Sequence, residues 1–368
     1  MANIWLSYNG NALGGNGYSV GIDGTPPEPM PAKTVRFMFE DSSYDPTQAQ
    51  SWVSGSTWDR VSGSPNVWDY GNTSNQWRQV FKDKFTSGSY VHVIDGNLSG
   101  VSVTGDYIGG GLFENNTRLR TAVLRGLQDV RTEVSSSDKR GIERTFWGCS
   151  NLTSCSLTGF AGCTRYLFAN CGSLTAITLS DFHPTYAAAM FGGCTSIVNA
   201  PGFDASSLIE ANGLFNGCSA LENVPSYSFG SSLREMNSTF MRCTALRTVP
   251  AFNTSSVNIM SSAFFQSGII VTPNWDTRNV TDFRNMFAYC SSLATIGSLD
   301  TGNANDVSNM FTADRQVTSG ALALYTQMSS QSVPPPIHGG CFSDCGSSTT
   351  TGAAELAQIP TSWGGTMS

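Results

Sequence analysis

One motif, Phe-x-x-Cys-x-x-Leu, recurs through the middle of the chain and constrains its fold more than any other feature. From Phe146 onward, successive copies of the Phe lie 22, 23, 24, 25, 24, 23 and 24 residues apart. Self-similarity at a nearly fixed period of this size indicates a solenoid, in which each unit buries its apolar face against its neighbours.

Three copies depart from the regular pattern. Ser267 takes the Cys position after Phe264, and Asp314 takes it after Phe311. An outlying copy begins at Phe113, 33 residues before Phe146, so we expect an insertion near residues 134–140. With these copies the predicted solenoid spans residues 105–317 and has about nine units.

Each unit contains more than the motif. The run after the Leu alternates, as in residues 174–179, and predicts a strand. Later units continue with Pro and then with Asp or Asn, as at Asp276. Apolar residues three and four apart, such as Phe283, Met286 and Phe287, predict one or two helical turns entered through a capping side chain. The predicted fold is a solenoid of leucine-rich-like repeats, with a strand and a short helix in each unit.

The motif positions are expected to form one continuous core, because a single unit is too small to bury them. The predicted core residues are Phe146, Cys149, Leu152, Phe168, Cys171, Leu174, Phe191, Cys194, Phe215, Cys218, Leu221, Phe240, Cys243, Leu246, Phe264, Phe287, Cys290, Leu293 and Phe311. The cysteines are interpreted as small buried side chains. One Cys per unit and three His in the whole chain provide no paired ligands, so we predict neither a metal nor a cofactor.

Charge and hydropathy exclude two classes of partner. The net charge of −7 argues against nucleic acid, which requires a basic surface. No apolar run approaches the roughly 18 residues of a membrane span. The start of the chain has no basic region followed by an apolar one, so we expect no cleaved export signal, folding in a cytoplasm and reduced thiols.

Two segments precede the predicted solenoid. Residues 1–32 end in a Pro-rich run and are interpreted as an attachment segment with a linker. Residues 33–104 predict a small β-rich domain, since apolar and polar residues alternate from Val35. Trp58 and Trp68 in this domain either pack in its core, the favoured interpretation, or stack on sugar rings.

Residues 318–368 are predicted to cap the far end of the solenoid. Residues 321–329 and 351–357 each predict a short helix. His338, Cys341 and Cys345 leave three alternatives open: a turn within the cap, a local disulfide, or a partial metal site without a clear fourth ligand. The turn is favoured.

No catalytic residue is predicted. Asp204, Asp276 and Asp300 occupy the same position in different units, which is typical of a capping residue, whereas a catalytic pair would be unique to one place. The chain is therefore not expected to be an enzyme.

Side chains that point away from the core are expected to bind a partner. The predicted binding residues are Thr175, Thr178, Arg247 and Arg278, with Trp58 and Trp68 from the β-rich domain. Glu222, Asn223, Thr248 and Arg284 belong to the same set of outward positions.

The tandem pattern M-F-x-x-C-x-x-L-x-x-[VI]-P-x-F-[DN]-T-x-x-V resembles the BspA-type leucine-rich repeat over about residues 105–320. Such repeats are found in bacterial surface adhesins and in tail or fibre proteins of gut bacteriophages. Residues 1–6, 320–325 and 351–360 resemble the ends of the phage proteins.

The resemblance implies a bacteriophage virion protein, such as a tail fibre or host-attachment protein that is made in the host cytoplasm. Its N-terminal segment would bind other virion proteins, its repeats would bind a host cell-surface glycan or protein, and by analogy it would form a homo-oligomer such as a trimer. The alternative is a bacterial leucine-rich-repeat surface adhesin. A third class, the tail-spike glycan hydrolase, requires two carboxylates about 5–9.5 Å apart in a cleft.

Overall fold

The computed structural model describes residues 7–8, 11–12, 34–39, 56–60, 67–72, 91–97, 113–126, 134–135, 138–139 and 141–367. Its strands are β1 (Ser7–Tyr8), β2 (Asn11–Ala12), β3 (Thr34–Phe39), β4 (Ser56–Arg60), β5 (Val67–Asn72), β6 (Val91–Asn97), β7 (Thr121–Arg125), β8 (Val134–Ser135), β9 (Asp138–Lys139), β10 (Ser154–Cys163) and β11 (Ala176–Tyr186). Its helices are α1 (Ala321–Ser329), α2 (Thr350–Leu356) and a 3₁₀ turn (Thr361–Trp363). The predicted attachment segment and linker lie mostly outside the described residues.

A seven-stranded sheet in the order β11-β10-β7-β6-β3-β5-β4 joins the start of the solenoid to the strands before it. The pairs from β6 to β11 are parallel, whereas β3, β4 and β5 pair antiparallel. Val93 of β6 pairs with Thr121 of β7, so the β-rich region continues the sheet of the first solenoid units. Val35 and Phe37 are fully buried.

The insertion expected near residues 134–140 contains a small ribbon. Within it, β8 and β9 pair antiparallel, with Val134 opposite Lys139. The two strands are separated by two residues, the shortest common hairpin connection. The extra length between Phe113 and Phe146 is thus partly taken up by this ribbon.

Beyond β11 the parallel ladder shortens to isolated bridges. Asn199 pairs with Asn223, and Thr295 pairs with Ser319. Pro201 and Pro225 follow closely after the first of these bridges. Because proline has no backbone N–H to donate, the ladder cannot extend through these positions. The strand predicted in every unit is therefore long only in the early units.

The short helix predicted in each unit does not form. Instead, the Phe of the motif in each unit lies midway between two residues that have positive φ and are four positions apart in the sequence. Nine units in the described residues share this arrangement, at positions 144/148, 166/170, 189/193, 213/217, 238/242, 262/266, 285/289, 309/313 and 340/344. A left-handed conformation costs a non-glycine residue roughly 1–2 kcal/mol.

Hydrogen bonds between coils replace the helical ones. The N–H of Phe168 donates to the carbonyl of Met190 in the next coil at 2.8 Å, and the N–H of Asn170 donates to Gly192 at 2.7 Å. The intervening N–H of Ala169 donates within its own coil, to Tyr166. Every second N–H thus holds the stack together, which a continuous i→i−4 helix would not allow.

A ladder of Phe rings forms the centre of the core. Consecutive ring centroids are 5.2–5.8 Å apart and the ring planes differ by 4–17°. The ladder runs through Phe113, Phe146, Phe168, Phe191, Phe215, Phe240, Phe264, Phe287, Phe311 and Phe342. Phe342 adds a tenth ring, inside the segment predicted to be only a cap. All ten rings are at most 1% exposed.

One unit departs from the alignment of the motif. Sequence spacing places Ile270 at the buried Leu position after Phe264, but Ile269 is fully buried and Ile270 is 44% exposed. The N–H of Gly268 donates to the carbonyl of Cys243 in the preceding coil. In this unit, only one residue separates Ser267 at the Cys position from the next buried apolar residue, whereas two residues separate them in the regular motif.

Two short helices close the C-terminal end, as predicted. Glu355 of α2 accepts hydrogen bonds from the N–H groups of Gly320 and Leu322 at the start of α1. Trp363 stacks on His338 with 4.1 Å between the ring centroids. Neither α-helix in the described part of the chain has the length and hydrophobicity needed to cross a membrane.

Candidate binding surface

The column of cysteines has a hydrogen-bonding role in addition to packing. The Sγ of Cys171 donates to the carbonyl of Phe146 in the preceding coil at 3.0 Å, and Cys194 donates in the same way to Phe168. Cys149, Cys218, Cys243 and Cys290 repeat this contact at 3.0–3.1 Å. Only a protonated thiol can donate such a bond.

Burial keeps these thiols protonated. It raises the pKa of Cys149 and of Cys218 to about 12, because an apolar environment disfavours the thiolate. All ten cysteines of the chain are buried and free, including Cys341 and Cys345, so the disulfide alternative for that pair does not occur. Cys345 instead follows Phe342 by three residues and continues the column. No group of three or more metal-ligating side chains occurs in the described part of the chain.

Asp314 is a carboxylic acid inside the cysteine column. Its side chain is fully buried, and its Oδ1 accepts a hydrogen bond from the N–H of Cys290 at 2.7 Å. Its Oδ2 has no partner among the described residues. Burial raises the pKa of Asp314 well above the usual 3.8.

The repeated carboxylates occupy turns. Oδ1 of Asp204 accepts from the N–H of Ser206 at 2.9 Å, and Oδ1 of Asp300 accepts from Gly302 at 2.9 Å. Oδ1 of Asp276 makes the same contact two residues ahead at 3.2 Å. These are Asx turns, in which the side chain replaces a backbone acceptor. The three carboxylates therefore have the same structural function in the turns of their respective coils.

The structure distributes the predicted binding residues over several places. Thr175 and Arg247 each follow a buried Leu and are exposed on the same face of the coils. Thr178 is exposed further along β11. Arg278 is exposed beside the Asx turn and pairs with Asp276 at 2.9 Å. They do not converge on one site.

The two predicted tryptophans are also separate from this face. Trp68 is 5% exposed and lies under Arg60, whose Cζ is 4.6 Å from the ring centroid. This burial fits packing within the β-rich domain, the favoured interpretation, better than stacking on a sugar. Trp58 belongs to β4, and its side chain lies outside the described residues.

Sequence reasoning missed a second outward surface. We define the left-handed ridge as the residues two positions after each ladder Phe, whose φ values lie between 57° and 77°. They are Gly148, Asn170, Gly193, Gly217, Arg242, Gln266, Tyr289, Ala313 and Asp344. Gly or Asn at this position in the first four units is the sequence signal for a left-handed backbone.

Comparison with known families places the repeats. Residues 133–228 match the profile of the BspA type leucine-rich repeat region, in six copies. The middle of the chain carries BspA-type leucine-rich repeats. Residues 212–324 match a profile described as "Mycoplasma protein of unknown function, DUF285". Neither the curated proteins nor the solved structures that were compared gave a match.

The two matched segments follow the stacked coils. The BspA-type segment contains the ladder rings from Phe146 to Phe215, and the second segment contains those from Phe215 to Phe311. Repeats of this type are typical of bacterial surface proteins. The matches carry no indication of a phage origin, which the ends of the chain had suggested.

An exposed histidine lies between two carboxylates in the BspA-type repeats. His183 Nε2 is 3.0 Å from Asp181 Oδ1, and His183 Nδ1 is 2.9 Å from Asp204 Oδ2. The hydrogen bond to Asp181, followed by that to Asp204, raises the pKa of His183 above 6.5. Hydrogen bonds from the backbone and side chain of Ser206, together with the His183 contact, lower the pKa of Asp204 below 3.8.

We expect His183 to titrate above pH 6.5 and to move back toward that value in Asp181→Asn, because the amide removes the charge that favours imidazolium. Nuclear magnetic resonance of histidine-labelled protein measures this directly, since the chain has only three His. A His183→Gln variant assigns the signal. An unchanged midpoint in Asp181→Asn would show that the contact does not exist in solution.

Proposed function

We propose that this chain is a non-enzymatic binding protein of the bacterial surface adhesin class. The observation that carries the proposal is the division of each coil into two sets of side chains. The Phe, Cys and Leu side chains of the motif are at most about 1% exposed. The residues after the Leu and along the left-handed ridge mostly point outward. Such an architecture lets outward residues vary without loss of the core.

The chemistry of the carboxylates supports a binding function over catalysis. Asp204, Asp276 and Asp300 each accept a backbone hydrogen bond in a turn. A glycan hydrolase needs two carboxylates that face one substrate with different roles, and these three have the same role. The proposed partner is a glycan or protein on the surface of another cell.

The BspA-type match favours the surface adhesin over the virion appendage that the ends of the chain suggest. Mass spectrometry of the envelope fraction of the source cells, and of virions purified from the same culture, separates the two. We expect the chain in the envelope fraction. Recovery in virions at a fixed stoichiometry would contradict the proposal and restore the appendage, with its N-terminal segment bound to other virion proteins.

Adhesion itself is tested with the purified full chain. We expect saturable binding to host epithelial cells or to mucin-coated surfaces, with bovine serum albumin as the negative control. Absence of saturable binding to either surface would contradict the adhesin function. Light scattering of the same sample reports whether the chain is a homo-oligomer, as the analogy with appendages suggests.

A further inference from the structure

The left-handed ridge changes character halfway along the solenoid. In the early coils it consists of Gly and Asn, and the Oδ1 of Asn170 lies 2.5 Å from where a Cβ of Gly193 would be. That Gly is required because the amide of the preceding coil covers it. From the next coils onward the ridge carries Arg242, Gln266 and Tyr289 on three consecutive units.

These three large side chains occupy a backbone conformation that disfavours them. Their φ values are 60°, 57° and 63°. Gly217, one coil earlier, has the same conformation with φ 77°, so the fold accepts glycine at this position. The earlier coils have Gly or Asn at this position, so the three large side chains are a feature of this stretch of the ridge and not a requirement of the turn.

Two contacts involve these three exposed side chains, and the second of them adds Phe265, which is half-buried. The Nε of Arg242 donates to Oε1 of Gln266 at 3.1 Å. The ring of Tyr289 meets the ring of Phe265 edge-on, with 5.4 Å between centroids, and Tyr289 is 50% exposed. The group therefore presents a guanidinium, an amide and an aromatic surface side by side.

The surrounding charge favours an anionic ligand. Residues 226–290, which include all four residues of the group, contain five arginines and three acidic residues, a net charge of +2 within a chain of net charge −7. Arg234, Arg242 and Arg247 donate to amide or carbonyl oxygens. None of the three forms an ion pair with a carboxylate in the part of the chain that the structure describes.

We propose that Arg242, Gln266, Phe265 and Tyr289 form a binding site for a glycan that carries carboxylates. The ring of Tyr289 stacks on a sugar face, and the guanidinium of Arg242 pairs with a sugar carboxylate. Gln266 lies between them, and its amide has both a donor and an acceptor for sugar hydroxyls. This site rests on the proposed function, since it supplies the surface ligand of the adhesin.

The test uses the full chain with two acidic polymers, hyaluronan and polysialic acid, and with their carboxyl-reduced forms. We expect saturable binding to at least one acidic polymer and at least tenfold weaker binding to its reduced form. Tyr289→Gly and Arg242→Gly should each weaken binding at least tenfold. Their melting temperatures should be unchanged or higher, because glycine relieves the left-handed strain.

Ala313→Gly is the matched control, because it relieves the same strain on the same ridge without removing a large side chain. It should bind as the wild type does. The site is overturned if neither acidic polymer binds, if a reduced form binds equally well, or if the Tyr289 and Arg242 variants retain wild-type affinity. Adhesion to cells that survives in Tyr289→Gly also overturns the site but leaves the adhesin function intact. Polymer binding by a chain that does not adhere to cells contradicts only the adhesin function.

Discussion

Replacement of Phe215 by Ala is expected to lower the free energy of unfolding by about 3–5 kcal/mol. The ring is fully buried between Phe191 and Phe240, at centroid distances of 5.3 and 5.7 Å. Its removal leaves a cavity in the middle of the ladder and weakens the contact of two coils with their neighbours. Urea denaturation followed by circular dichroism measures the loss.

Two further variants test whether the loss of stability comes from the missing ring. Phe215→Leu should cost less than the alanine change because it fills most of the volume, and it reports on the site even if the alanine variant does not fold. Val333→Ala is the control, since that side chain is 75% exposed and should change the stability by at most about 0.5 kcal/mol. Equal effects of Phe215→Ala and Val333→Ala would mean that the ladder does not carry the stability.

Replacement of Asp314 by Cys is expected to stabilise the protein increasingly as the pH rises. Burial raises the pKa of Asp314 in the folded state. The contribution of this group to the free energy of unfolding is therefore largest below its unfolded pKa of about 3.9. That contribution is lost as the pH rises toward the folded pKa. Between these two pKa values, the free energy of unfolding of the wild type falls by about 1.4 kcal/mol per pH unit relative to that of the variant. The thiol removes Oδ2 of Asp314, which has no hydrogen-bond partner among the described residues, and restores a cysteine at this position of the column.

The measurement is the unfolding free energy of both proteins at pH 4, 5, 6 and 7. The difference between them should be smallest at pH 4. Ser267→Cys is the control, because it also places a thiol at a buried position of the cysteine column but removes no carboxylate; it should not show this pH dependence. A constant difference between wild type and Asp314→Cys across the range would contradict a buried, protonated Asp314.

The cysteine column contributes packing and hydrogen bonds to the core. Six of its thiols donate to a Phe carbonyl of the preceding coil, and the raised pKa of Cys218 keeps that thiol a donor throughout the neutral range. The same burial suppresses the thiolate that redox chemistry would need.

Much of the core could be predicted because it depends on spacing. The recurrence of Phe and Cys at a period near 24 residues indicates a stack, and the stacked rings of Phe146 and Phe168 follow from it. The repeated position of Asp204 and Asp300 indicated a shared structural role as helix caps, whereas the structure has Asx turns there and no helix. The helix at residues 321–329 was also predictable, since its apolar residues and helix formers are local in sequence.

The proposed glycan site could not be predicted in this way. Spacing selected Arg247 and Arg278, which lie apart, and did not select Tyr289, whose outward position depends on a left-handed turn. Apolar residues three and four apart, such as Phe283 and Met286, fit a helix and this pair of turns equally well. Only the neighbouring coil distinguishes the two, by accepting every second N–H.

Periodicity in the sequence is sufficient to predict the repeat and most residues of the core, because both follow from the regular burial of apolar side chains. The tertiary structure decided the rest: the double left-handed turn in place of a helix, the burial of Ile269 instead of Ile270, and the tenth ring at Phe342. In each case the deciding interaction joins residues about one unit apart in sequence. Hydrogen bonds and packing between coils outweigh local preference, and they exist only once the coils are stacked.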